Sequence, residues 1–168
     1  NIVIGAKTVE PHPKLEGTIY TAAEEIKAVG AKVLALQLDI RNEEEIQKAV
    51  EQAVQTFGGI DVLINNAGLA LGRDLFDEGN IDDWDTMIDT NLKGLLYVSK
   101  AIVPLMTKVN RGHIVNLGSV AGKEVYEKGN VYCATKAAVD FISKAMRIDL
   151  LQHHIKVTAI HPGAAETE

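Results

Sequence analysis

Apolar residues in this chain recur in two alternating patterns. Short β-branched runs at Ile2-Val3-Ile4, Val33 to Leu38, Ile60 to Ile64, His113 to Leu117 and Ile155 to Ile160 predict buried strands. Between them, apolar positions return at helical spacing. A helix is expected from about Thr21, carrying Ala22, Ala23, Ile26 and Val29, with Gly30 as its stop. A second runs from Glu43 to Phe57 on Ile46, Ala49, Val50 and Ala53, and Gly58-Gly59 ends it. A long helix is expected from Asp82 to about Val109, and another from Tyr132 to about His153. Strands that alternate with helices and are apolar nearly throughout predict a parallel sheet covered on both faces. Ligands of such sheets bind beyond the carboxyl ends of the strands. Asn65-Asn66-Ala67-Gly68, Gly118-Ser119 and Pro162-Gly163 all fall there.

Composition adds limits. The chain has 168 residues, 46% hydrophobic and 24% charged, which suits one globular domain over residues 1–168. A net charge of −6 argues against nucleic acid or an anionic membrane as partner. Cys133 is the single cysteine, so an intrachain disulfide or thiolate metal cluster is excluded. No apolar run approaches the ~18 residues that span a bilayer. The chain opens on Asn-Ile-Val-Ile, without a basic leader or an initiator Met, which suggests a cytoplasmic protein read from within a longer polypeptide.

The richest segment for chemistry is Tyr132-Cys133-Ala134-Thr135-Lys136. At i and i+4 on a helix, phenol and ammonium share a face. A free phenol ionises near pH 10 and is a poor acid or base at neutrality, but a neighbouring cation favours the phenolate. Such a pair can exchange a proton with a substrate oxygen. Ser119 lies just past a strand end, where its hydroxyl can hold the same oxygen. Asn91 stands inside the long helix, an unfavourable place for Asn without a reason. Each feature alone reads as ordinary surface or turn; their order and their places at the strand ends make chance a poor explanation.

In these residues the chain resembles the short-chain dehydrogenase/reductase superfamily over essentially its whole length. Asn65-Asn66-Ala67-Gly68 is similar to the family's turn after its fourth strand. Asn91, Ser119, Tyr132 and Lys136 resemble its catalytic tetrad. Pro162-Gly163 with Thr167 resembles the segment that closes over the nicotinamide, and Asp39 the acid that contacts adenine. The resemblance implies a Rossmann-type doubly wound sheet, three layers α/β/α. It implies Tyr132 as general acid/base, and Lys136 as the cation that assists it and holds the nicotinamide ribose. Ser119 would position the substrate oxygen, Asn91 would anchor a water, and Asn65, Ala67 and Gly68 would line the cofactor. The cofactor carries the hydride. Relatives that use NAD often place an acid after the second strand. Gly5-Ala6-Lys7-Thr8 offers none here, and Lys7 can pair with a 2′-phosphate, so NADP is expected ahead of NAD.

Other residues read as structural. His153-His154 suits a helix C-terminus, and no metal site is expected. Cys133 sits about 100° around the helix from Tyr132, which suits a buried thiol. Trp84, Met87, Ile88 and Leu92 read as packing, and Asp82, Asp83 and Asp85 complement a helix N-terminus. Leu95, Leu96, Val98, Ile102 and Leu105, with Phe141, Ile142 and Met146, resemble the family's helix-pair interface, which implies a homodimer or homotetramer.

The chain departs from the family in two ways. The first strand, its Gly-rich phosphate turn and the last strand have no counterpart in these residues. In the order 3-2-1-4-5-6 the first strand lies centrally, so two half-sheets with unpaired edges are expected, unless strands two and four close the gap. These residues alone are expected to bind a dinucleotide weakly. The stretch around residues 11–20 resembles the hydroxysteroid dehydrogenase-like branch. The sequence from Asp61 on resembles the branch acting on serine and small 3-hydroxy acids, which points to a small hydroxy acid or polar alcohol as substrate. The leading expectation is an oxidoreductase interconverting a secondary alcohol and a carbonyl. The rivals are a catalytically silent scaffold that binds cofactor or partners, and an inactive fragment.

Overall fold

The computed structural model describes residues 1–11 and 17–164. Thr167 and part of the stretch that resembles the hydroxysteroid branch, residues 12–16, lie outside the described residues. The chain divides into two compact units, Asn1–Ile60 and Asp61–Glu168.

In the first unit, β1 (Ile2–Ala6) and β2 (Val33–Gln37) pair in parallel, Ile2 beside Val33 through to Ala6 beside Gln37. The helix α1 (Ile19–Ala28) joins them and starts two residues before the expected Thr21. The cause is a cap at Thr18. Its hydroxyl accepts the N–H groups of Tyr20 and Thr21, while Thr21 Oγ1 accepts the Thr18 N–H. Three N–H groups are thereby satisfied, those of Thr18 and Thr21 reciprocally. The next helix, α2 (Glu43–Phe57), has the expected bounds. Asn42 Oδ1 accepts from the N–H groups of Glu44 and Glu45, and three glutamates face the positive end of the helix. Gly58 closes it at φ 86°, a left-handed conformation that glycine adopts without strain. Ile46, Val50 and Ala53 form its buried stripe.

In the second unit, β3 (Val62–Asn65), β4 (Gly112–Leu117) and β5 (Ile155–Ile160) form a parallel sheet in that order. The strand β3 starts at Val62, where pairing with His113 begins, rather than at Ile60. Among the described residues the five strands form two separate sheets, in keeping with the two half-sheets expected.

The long helix foreseen from Asp82 is not continuous. After α3 (Ile81–Ile88), capped by Asn80, the backbone widens into a π-helical segment at Asp89–Gly94 and resumes as α4 (Leu95–Lys108). The widened turn contains Asn91, whose unfavourable helical placement is met by this local change of register. Such bulges are rare and cluster at functional sites. The helix α5 (Asn130–Asp149) starts two residues ahead of Tyr132, and a short 3-10 turn, Leu151–His153, replaces its expected last turn.

A line of polar side chains ties the sheet to its helices. Asn65 and Asn116 are register partners. Asn65 Nδ2 donates to Asn116 Oδ1 at 2.9 Å and to Ser99 Oγ of α4 at 3.1 Å. Asn116 Nδ2 donates to Ser143 Oγ of α5 at 2.9 Å, and Ser143 Oγ donates to the Val139 carbonyl at 2.7 Å. Every described buried side-chain polar atom has a partner, the condition under which a buried network specifies a unique packing rather than weakening it. Both α4 and α5 therefore reach the same face of this sheet. On the β3 residues that point the other way, Val62 and Ile64 are 52% and 60% exposed. The apolar run at Ile60 to Ile64 reads as burial on both faces, but within this unit the helices cover one.

Candidate active site

The second unit gathers the expected tetrad at the carboxyl ends of its strands. Ser119 follows β4 and caps a 3-10 turn, Val120–Gly122, with Oγ accepting the Ala121 N–H at 3.1 Å. Its hydroxyl proton remains available to a substrate oxygen. Tyr132 lies in the first turn of α5, half-buried, with Lys136 one turn further on. The Lys136 ammonium is 5.9 Å from the Tyr132 ring centroid and donates to the Leu117 carbonyl at 2.9 Å. With 6% of Lys136 exposed, burial pushes the ammonium below the usual lysine range. Leu117 is the last residue of β4, so this bond locks α5 to the strand that delivers Ser119. The packing is close: a Cβ on Gly122 would lie 2.6 Å from the Lys136 carbonyl carbon and oxygen.

Asn91, 2% exposed, fastens the loop after β3. Its Oδ1 accepts the Leu69 N–H at 2.8 Å. Its Nδ2 donates to the Leu69 carbonyl at 2.8 Å and to Thr135 Oγ1 at 3.1 Å. Thr135 Oγ1 in turn donates to the Tyr132 carbonyl at 2.8 Å. Both amide protons are thus used within the chain, leaving a lone pair on Oδ1. Gly68 rests on these groups, since a Cβ there would lie 3.2 Å from Asn91 Oδ1 and 3.3 Å from Lys136 Nζ. Gly68, Asn91, Thr135 and Lys136 therefore form one cluster. Ala67 is exposed beside it, whereas the Asn65 side chain turns into the polar line below the sheet.

At the end of β5 and just beyond it, the Ile160 and Pro162 carbonyls accept the N–H groups of Gly118 and Val120 at 2.7 and 3.0 Å. These bonds hold Pro162-Gly163 against the Ser119 turn. Cys133 is buried, as expected. Trp84 packs on Phe76 at 5.2 Å between ring centroids.

In the first unit the two residues singled out separately come together. Lys7, 61% exposed along its side chain, has Nζ 3.6 Å from Asp39 Oδ2. Asp39 is also gripped by Arg41, whose Nε lies 3.0 Å from Oδ1 and whose Nη2 lies 2.6 Å from Oδ2. The Arg41 guanidinium holds the Asp39 carboxyl below the usual carboxylate range. Sequence reasoning passed over Arg41; an Arg two residues after an acid at a strand end was the available signal.

Tyr132, Lys136 and Ser119 thus stand together at the strand ends, where a phenol beside an ammonium can exchange a proton with a substrate oxygen. The family model for short chain dehydrogenase matches residues 5–168, and the chain belongs to that family. Among curated proteins it is 48% identical over 135 residues to the NADP-dependent 3-hydroxy acid dehydrogenase YdfG of Salmonella typhi, covering 80% of this chain and 54% of that protein. It is 41% identical over 152 residues to the NADP-dependent 3-hydroxy acid dehydrogenase of Schizosaccharomyces pombe, covering 90% and 59%. Among solved structures, the closed form of a serine dehydrogenase complexed with NADP+ is similar at a TM-score of 0.84 and 38% identity, over 96% of this chain and 61% of that one. The chain spans a little over half the length of the curated relatives it matches. No described helix is long and apolar enough to cross a membrane.

Proposed function

We propose that this chain carries the catalytic face of an NADP-dependent oxidoreductase that interconverts a secondary alcohol and a carbonyl, with a small 3-hydroxy acid or related polar alcohol as substrate. The observation that carries the reading is Tyr132 one helical turn from a buried Lys136 that is bonded to the strand end delivering Ser119. The names of the relatives, 3-hydroxy acid and serine dehydrogenases, support the substrate class.

The residues fit the cofactor. Lys136 has three N–H donors, and Leu117 O is the one hydrogen-bond acceptor it meets among the described residues, so donors remain for ribose hydroxyls. In the first unit, Lys7 and Arg41 flank Asp39, a pair of cations suited to a 2′-phosphate, with Asp39 held for adenine. Asn65 would keep the β3 turn in place from below, and Ala67, Gly68, Pro162, Gly163 and Thr167 complete the expected contacts. When bound, NADP(H) supplies or accepts the hydride.

The chain's own residues handle the oxygen. Ser119 donates a hydrogen bond that orients the carbonyl. Tyr132 delivers its phenolic proton to that oxygen during reduction and removes it during oxidation. Lys136 stabilises the negative charge that develops on the phenol. Asn91 holds the loop and the α5 start in register, and its remaining Oδ1 lone pair is available to a relay water.

Cofactor choice is testable by titration. Lys7→Ala is expected to weaken NADP binding about tenfold, a typical loss for one exposed charge contact, and to leave NAD binding unchanged. Equal weakening of both, or a wild-type preference for NAD, would contradict the role of Lys7.

The expected helix-pair interface is modified. Leu95 and Ile102 are buried in this chain's own core, while Leu96 and Phe141 are exposed on α4 and α5. We take the protein as a homodimer or homotetramer through that exposed pair, and place it in the cytoplasm with its single thiol reduced. Sedimentation as a monomer would refute the assembly.

A further inference from the structure

We propose that His161 is a positioning residue for Ser119, held over the serine turn by the buried carboxylate of Asp140; this rests on reading Ser119 as the hydroxyl that orients the substrate.

His161 leaves β5 directly before Pro162-Gly163. Its Nδ1 lies 3.3 Å from the Ser119 carbonyl oxygen and its Nε2 3.3 Å from Asp140 Oδ1; both oxygens are acceptors, so the ring holds the two at once as the imidazolium, which carries a proton on each nitrogen. The ring lies against the end of β4, where a Cβ on Gly118 would come within 2.6 Å of Nδ1 and 2.8 Å of Cε1. Glycine at 118 is therefore what allows the imidazole to approach. The Ser119 carbonyl also accepts the Gly122 N–H at 3.0 Å, the bond that closes the 3-10 turn. Its second lone pair faces His161, the one side chain that reaches the Ser119 main chain among the described residues.

Asp140 is built to hold the ring. It is 6% exposed and lies on α5 one turn beyond Lys136. Its Oδ2 accepts from Lys123 Nζ at 2.6 Å and from Lys144 Nζ at 2.9 Å. These two ammonium groups, Lys123 foremost, bring its carboxyl down to about 2 against the opposing effect of burial. Asp140 is thus ionised throughout the neutral range, with Oδ1 turned to the imidazole. Lys123 follows the serine turn, so one carboxylate joins α5, that turn and the exit of β5. The Ser119–Val120 peptide is held by the Gly122 N–H on its carbonyl and by the Pro162 carbonyl on its N–H. The imidazole adds the third contact, on the open side of that carbonyl. Losing it lets the peptide tilt and shifts the hydroxyl from the substrate oxygen, and a misplacement near 1 Å can lower a rate about a hundredfold.

Two near-isosteric variants separate positioning from packing. His161→Asn keeps an amide donor near the place of Nδ1, and His161→Gln keeps one near the place of Nε2. In the wild-type background, kcat with NADPH and a carbonyl substrate is expected to fall roughly ten- to a hundredfold in H161Q, with the KM for NADPH unchanged, and to stay within a few-fold in H161N. The carbonyl carbon-13 resonance of Ser119 should move in H161Q and remain near its wild-type position in H161N. Wild-type kcat in both variants, or equal losses in both that track equal falls in Tm, would overturn the proposal. Should the wild-type protein turn over no alcohol or carbonyl, the oxidoreductase reading fails, and the Ser119 resonance alone decides this one. A shift confined to H161Q then supports His161 as the group that holds Ser119, and identical spectra in both variants overturn it.

Discussion

Replacing Tyr132 by Phe is expected to lower turnover by about three orders of magnitude, within the range that general acid–base catalysis contributes. The substitution removes one hydroxyl and keeps the ring. Lys136 therefore keeps its aromatic neighbour and its bond to the Leu117 carbonyl. Cofactor affinity and Tm should remain at wild-type values, because none of the hydrogen bonds that hold Asn91 and Lys136 runs through the lost oxygen. Steady-state kinetics beside a cofactor titration separate the two effects. Equal kcat in the two proteins would remove Tyr132 from the chemistry and leave Ser119 and Lys136 without a proton partner.

The second large effect is on stability. Gly122→Ala is expected to destabilise the protein by about 2–3 kcal/mol, in the range of overpacking. The new methyl would meet main-chain atoms of Lys136 and Ala137 rather than the end of a side chain that could turn aside. The serine turn or α5 must then move. Either shift also disturbs the Lys136–Leu117 bond, so activity should fall with stability. Gly59→Ala is the control. A Cβ there meets nothing within 4 Å, and its φ is not in the left-handed region, so its effect should stay within about 0.5 kcal/mol. Urea unfolding of the three proteins reads the difference directly. A wild-type midpoint for G122A would mean that the turn and helix are not packed as closely as described.

How much of this was legible in the sequence depends on how far apart the interacting residues are. The bounds of α2 follow from its stripe at positions 46, 50 and 53 and from Gly58, all within one local window. The start of α1 was missed because Thr18 and Thr21 cap each other, a reciprocal bond that the apolar pattern does not register. The π-helical segment was invisible for a related reason. Its apolar spacing continues through, and only the awkward placement of Asn91 marked it. The places of Tyr132, Lys136 and Ser119 could be read because helical spacing and strand ends fix them without knowledge of the packing. Arg41 was missed although Asp39 and Lys7 were not, since the guanidinium acts through the carboxylate rather than through a motif. His161 and Asp140 stand 21 residues apart on different elements, and nothing local links them. Folding makes that pair, as it makes the line from Asn65 through Asn116 to Ser143.

On the function proposed here, the site interconverts a secondary alcohol and a carbonyl with NADP(H) as the hydride carrier. The most direct measurement is to incubate the protein with NADPH and a panel of small carbonyl compounds, 3-oxo acids among them. Cofactor consumption is followed by absorbance and the product is identified by mass spectrometry. NADPH loss matched one for one by a secondary alcohol is the expected result. Loss of NADPH without an alcohol, or no loss with any member of the panel, would contradict it.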